Sequence, residues 1–209
     1  MQTAEKPRAS TARRRAVPLL TYETFLHHAP DGTKEDLIDG VGVPAMSAST
    51  THERLFAFLL TVLRGYASAK GLGEVLGSRT LVRIDARNGY EPDLLFVSKA
   101  RAHIVRERDV TEAPDIAVEI VSKSSRRRDA RTKFLGYERA GVLEYWLIDP
   151  ERRAATFYVR GDQGVFEPAP LDGGVFASHA LPGFRLDPAW LFADPLPPEF
   201  AVLRGLLGA

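Results

Sequence analysis

The chain contains no cysteine, which excludes disulfides, thiolate zinc sites and a cysteine nucleophile together. It also lacks any apolar run near the roughly 18–20 residues that span a bilayer, so no membrane association is expected. The opening stretch MQTAEKPRASTARRRAVPLL is charged but has no apolar segment of signal-peptide length. A reducing cytoplasm is therefore the default expectation. Neither sign of charge dominates, since 28 Lys and Arg face 27 Asp and Glu for a net charge of +1. Bulk charge thus points to no partner class. Internal repeats and interior linkers are absent too, and 209 residues fit one domain with tails.

What is present is unevenly placed. Residues 1–15 hold Lys6, Arg8, Arg13, Arg14 and Arg15 against Glu5 alone. Residues 1–17 are polar and aperiodic and read as a disordered basic tail. A domain is expected over 18–195, followed by a helical tail over 196–209. A second basic run comprises Lys123, Arg126, Arg127, Arg128 and Arg131. Such a run is either a solvated loop or a patch that steers phosphate, because nucleic-acid affinity is built from Lys and Arg contacts to the backbone.

Periodicity predicts an α/β (α+β) fold, a mixed sheet flanked by two principal helices. Leu55, Leu59, Val62, Leu63 and Tyr66 recur at helical spacing over 50–69, with Ser49 or Thr50 able to cap. A shorter helix is expected from Thr21. Asp39-Gly40 between apolar pieces signals a hairpin. Strands are expected over 73–78, 80–85, 93–97, 115–121, 142–148 and 154–160, with Asn88-Gly89 as a turn. Short edge strands are expected at Phe166 and at 175–176, and a second strong helix over 126–140.

Two strand-length apolar runs carry a carboxylate in an expensive position. Asp93 opens EPDLLFV, and Glu119 sits between Val118 and Ile120 in PDIAVEIVS. An unpaired buried carboxylate costs several kcal/mol, so a partner, a metal or chemistry is expected beside each. On neighbouring strands the two would converge, as metal-dependent phosphodiester hydrolysis requires. Asp115 lies four residues from Glu119 along one strand, about 13 Å away, and belongs at the strand entrance. Asp129, Lys133 and Tyr137 share one stripe of the second helix. That stripe is either an ordinary surface ion pair or a lysine aimed at a phosphate.

These pieces, in order, resemble the Uma family of restriction-endonuclease-like proteins in the PD-(D/E)xK nuclease superfamily. The resemblance runs from about Thr21 to Phe192. It is carried by DLIDG at 36–40, His52, EPDLLFV at 91–97, PDIAVEIVS at 114–122, Asp129, Lys133, Tyr137, GVLEYWLIDP at 141–150 and LPGF at 181–184. It implies a restriction-endonuclease-like core in which Asp93 and Glu119 bind Mg²⁺ or Mn²⁺, with the Ile120 carbonyl as a further ligand. The superfamily usually places lysine two residues after the glutamate, where this chain has Val121. The resemblance therefore assigns that role to Lys133 of the following helix, with Lys123 as the substitute. Asp36 falls where the family carries an acidic residue that assists the metal, and His52 where a side chain faces the carboxylates.

The resulting expectation is a Mg²⁺-dependent endonuclease acting on DNA, homodimeric by analogy with relatives that cut both strands. Two rivals stand beside it. One is a non-catalytic nucleic-acid-binding or regulatory module that kept the fold. The other is a structural protein in which Lys133 merely neutralises a buried Glu119. A metal-dependent hydrolase of another phosphate ester uses the same ligand types.

Overall fold

The structure, a computed structural model, describes residues 19–28, 34–45, 47–121 and 128–208, with backbone alone for 128–130. The expected tail over 1–17 lies outside the described residues. The chain opens with α1 (Tyr22–His28) and the hairpin β1 (Glu35–Ile38) and β2 (Val41–Pro44), followed by α2 (Thr50–Ala69). Next come β3 (Gly73–Gly77), β4 (Leu81–Arg83), β5 (Gly89–Tyr90), β6 (Leu94–Ser98), β7 (Asp109–Val110) and β8 (Ile116–Ile120). A π-helical turn at Arg128–Lys133 leads into α3 (Phe134–Ala140), then β9 (Glu144–Asp149), β10 (Ala154–Arg160) and β11 (Phe166–Pro168). The chain closes with β12 (Phe176–Ala177), β13 (Arg185–Leu186) and α4 (Glu199–Leu207).

Local sequence accounts for the main boundaries. Asp39 and Gly40 both take positive φ, 49° and 79°, as the tightest hairpin turn demands. The Ser49 hydroxyl accepts from the His52 N–H at 3.2 Å and caps α2. Leu55, Phe58, Leu59, Val62, Leu63 and Tyr66 form its buried stripe.

The principal sheet has six strands in the order β11-β10-β9-β8-β6-β3. It is mixed, since β8 runs parallel to β9 and antiparallel to β6. The α2 stripe packs on one face of this sheet against Ile116, Val118, Ile120, Trp146 and Ile148. Ala117, Tyr145 and Phe166 on the other face pack with Tyr90 of β5 and Tyr137 of α3. All five residues of β8 are buried, as expected of a central strand covered on both sides. Because side chains alternate along a strand, Glu119 is forced to the α3 side, together with Ala117.

The expected mixed sheet is present, and a second sheet of five strands, β2-β1-β5-β4-β7, stands beside it and takes β4 and β5, the segments between β3 and β6. The break falls at the β3–β4 connection, where Arg79 adopts φ 75° and turns the chain off the principal sheet. The second expected helix also differs at its start, where the first described turn is π rather than α. Phe176 leaves the principal sheet and pairs with Leu186 in a two-strand ribbon. Helix α4 lies against α2, its Leu203 touching the space beside Gly65.

Glu144 ties this ribbon region to the principal sheet. It is fully buried, and its carboxylate accepts from Trp146 Nε1, Ser178 Oγ and the His179 and Ala180 N–H groups at 2.6–3.1 Å. Glu144→Ala strands all four donors, so it is expected to lower stability by about 3 kcal/mol or more. Urea unfolding followed by tryptophan fluorescence measures the loss.

Candidate active site

Antiparallel pairing of β6 with β8 sets Leu94 opposite Val118. The next step along that register brings Asp93 beside Glu119. The Asp93 N–H donates to the Val118 carbonyl at 3.1 Å, and Asp93 Oδ2 accepts from the Ile120 N–H at 2.8 Å. The two carboxylates thus stand at adjoining strand ends, each on a residue less than 5% exposed. Asp115 sits at the far end of β8, where it accepts from the Ser98 N–H and pairs with Arg101. Its place at the strand entrance is as expected.

Helix α3 and the π turn before it cover the same face. Lys133 is 2% exposed, and its ammonium donates to Glu119 Oε1 at 2.8 Å while lying 3.2 Å from Asp36 Oδ2. Tyr137, one turn on, donates its hydroxyl to the same Glu119 oxygen at 2.8 Å. Burial and the adjacent Glu119 raise the Tyr137 pKa well above its ordinary value, so the phenol remains a donor. The helix comes this close because residue 136 is glycine. A Cβ there would collide with the Tyr90 ring and hydroxyl. Asp36 in β1 is held in turn by accepting from the Glu91 N–H at 2.8 Å.

Asp93 is met by two cationic groups. Lys34 Nζ lies 2.6 Å from Oδ1, and His52 Nε2 lies 3.2 Å from Oδ2. Burial alone would raise the Asp93 pKa, but the His52 hydrogen bond and the Lys34 charge hold it well below the usual carboxylate range. Burial likewise lowers the His52 pKa, and the bond to Asp93 more than offsets it, so the net shift is upward. With Nδ1 lying 3.3 Å from Glu53, both ring nitrogens face carboxylates and the imidazolium is favoured.

The residues singled out in the sequence therefore assemble in large part. Asp36, His52, Asp93, Glu119 and Lys133 are linked by the contacts above, and Ile120 contributes backbone. Of the basic run, Arg131 is exposed, while Lys123, Arg126, Arg127 and the Arg128 side chain lie outside the described residues, as does that of Asp129. Sequence reasoning missed Lys34 and Glu91. Lys34 lies two residues from Asp36, the spacing that places strand residues on one face. Glu91 lies two residues before Asp93 in the same EPDLLFV run. Among the described residues its buried Oε2 has no hydrogen-bond partner, and burial together with Asp36 pushes its pKa up to about 7.

Among the described residues, no three His, Asp or Glu side chains come together as a group able to hold a metal ion. The donors nonetheless fit a hard divalent cation. Mg²⁺ takes oxygen ligands and commonly uses only one or two protein carboxylates, filling the rest of its shell with water. Asp93 and Glu119 supply that number, buried side by side at adjoining strand ends.

The Uma2 family, described as "Putative restriction endonuclease", matches residues 22–189. The chain belongs to this family. Among solved structures, this Uma2 chain is similar to "a putative nuclease belonging to DUF820" from Anabaena variabilis ATCC 29413. The two are 18% identical with a TM-score of 0.67, and the match covers 83% of this chain and 97% of the other. At that identity the likeness shows the fold, an α/β restriction-endonuclease-like core, as the Uma resemblance implied. No curated protein matches the chain. No helix among the described residues is long and apolar enough to cross a membrane.

Two substitutions test this geometry. Gly136→Ala pushes α3 off Tyr90 and is expected to cost about 1–3 kcal/mol, the range for overpacking a tight contact, read as a lowered Tm. Glu91→Gln is expected to act in the opposite direction above pH 7. An acid whose folded pKa is raised binds its proton more tightly when folded, so its burial weakens the fold as pH rises from about 4.5 through about 7. At pH 8 the glutamine variant should be more stable by up to about 3 kcal/mol, and the gain should vanish by pH 4. Thermal melts across that range decide it.

Proposed function

We propose that this protein is a metal-dependent endonuclease that hydrolyses DNA phosphodiester bonds at the Asp93–Glu119–Lys133 site. The observation that carries the reading is the buried Lys133 ammonium, 2.8 Å from Glu119 and reached from the helix rather than from the strand. It restores, from a different element, the lysine that Val121 leaves absent from β8. Asp93 and Glu119, with the Ile120 carbonyl, would hold one Mg²⁺ or Mn²⁺, whose charge would polarise the scissile phosphate and lower the pKa of the attacking water.

The chain's own residues then have separate tasks. Lys133 orients the attacking water or meets the negative charge that grows on the phosphate, fixed for either by Glu119 and Asp36. Tyr137 holds the Glu119 oxygen in place. His52 holds Asp93 Oδ2 together with the Ile120 N–H. Arg131 and the rest of the basic run would contact backbone phosphates beside the site. Cutting both strands of a duplex takes two such sites, which a homodimer supplies.

One observation favours a second reading, a nucleic-acid-binding or regulatory module without catalysis. Asp93 and Glu119 are both already neutralised by cations of the chain itself.

Nicking of supercoiled plasmid with Mg²⁺ or Mn²⁺ separates the two. Glu119→Ala and Lys133→Ala are each expected to reduce the rate by about 10²–10³-fold, the size seen when one preorganised charge-stabilising group is removed. Circular dichroism checks that both fold. A wild-type protein that cuts with neither ion, yet binds duplex DNA, supports the module instead.

A further inference from the structure

Among the described residues, Lys34 is the cation of the site that is positioned to leave it. Lys133 is almost wholly buried between Glu119 and Asp36. The Lys34 side chain is 23% exposed, and among the described residues its hydrogen bond goes to Asp93 Oδ1 alone. Its carbonyl is fixed, accepting from the Ala45 N–H at 2.8 Å at the open end of the β1–β2 hairpin. The backbone therefore stays while the long side chain can turn towards solvent. On the other side of the carboxylate, Oδ2 is occupied by the Ile120 N–H and by His52. Oδ1 is thus the Asp93 oxygen left for an incoming cation, and Lys34 sits on it.

An ammonium and a dication do not share that oxygen comfortably. With Lys34 Nζ at 2.6 Å from Oδ1 and a magnesium–oxygen bond of about 2.0–2.1 Å, the two charges would stand less than about 5 Å apart. We propose that Lys34 is a resident counter-ion of Asp93, displaced when a divalent cation binds, and that the released ammonium then becomes a contact to substrate phosphate. This rests on the metal reading given above. The cation-free protein thereby avoids an uncompensated buried carboxylate. The cost of expelling Lys34 is in turn offset by phosphate, so cation and nucleic acid bind cooperatively.

The test compares wild type with Lys34→Met and Lys34→Gln, using Arg54→Met on the exposed face of α2 as a control for loss of one positive charge. Mn²⁺ affinity is read by the EPR signal of free ion, without turnover. Both Lys34 variants should bind Mn²⁺ about tenfold more tightly, since no charge-assisted hydrogen bond has to be broken first, and Arg54→Met should not. Affinity for a short duplex oligonucleotide is then measured with Ca²⁺ and with EDTA. The Lys34 variants should bind several-fold more weakly with Ca²⁺, with the salt slope reduced by about one, and equally well in EDTA. If wild type binds Mn²⁺ and the Lys34 variants bind it no better, or if they lose DNA affinity equally in EDTA, the counter-ion role is overturned while the metal site stands. If wild type takes up no Mn²⁺, the metal site itself is refuted, and this inference with it.

Discussion

An ammonium ion held almost wholly out of water organises this molecule. Burying Lys133 costs several kcal/mol unless oppositely charged groups meet it in good geometry, and Glu119 and Asp36 do so from two different sheets. The principal sheet contributes Glu119 through β8, and the five-stranded sheet contributes Asp36 through β1. The contact therefore joins both sheets to the π turn and α3. Asp36 in turn holds the Glu91 backbone at the entrance to β6, the strand that begins just after Asp93. Several elements reach the same few ångströms because one charge has to be satisfied there.

The surrounding charges follow from the same constraint. Asp36, Glu91, Asp93 and Glu119 crowd one strand end, against Lys34, Lys133 and His52. Burial, with Asp36 adding to it, drives the Glu91 pKa upward, whereas the close cationic neighbours of Asp93 overcome its burial and drive that pKa downward. Two carboxylates two residues apart in one short run are driven in opposite directions by what surrounds them.

Much of this was readable from the residues. Alternation along 115–121 assigned Glu119 to a face opposite Ile116, Val118 and Ile120, and the buried strand keeps that assignment. The i, i+4 relation of Lys133 and Tyr137 survived as well, and both reach the same glutamate oxygen. What was not readable depended on pairing between distant segments. Nothing local reveals that β4 and β5 leave the principal sheet, because strand pairing is non-local and the turn at Arg79 uses a residue with no special preference for positive φ. Lys34 and Glu91 were hidden for a related reason. A charged residue before a strand is ordinary until the fold places a second charge against it.

The departure at Val121 has a consequence for how such a chain can change over generations. A lysine on the strand is bound to its glutamate by a fixed two-residue register, so any insertion between them destroys the pair. Here the ammonium is located by the phase of α3, which is anchored where Gly136 meets Tyr90. The connection from β8 to the π turn is thereby released from that constraint. Its length and sequence can drift without moving the charge at the centre.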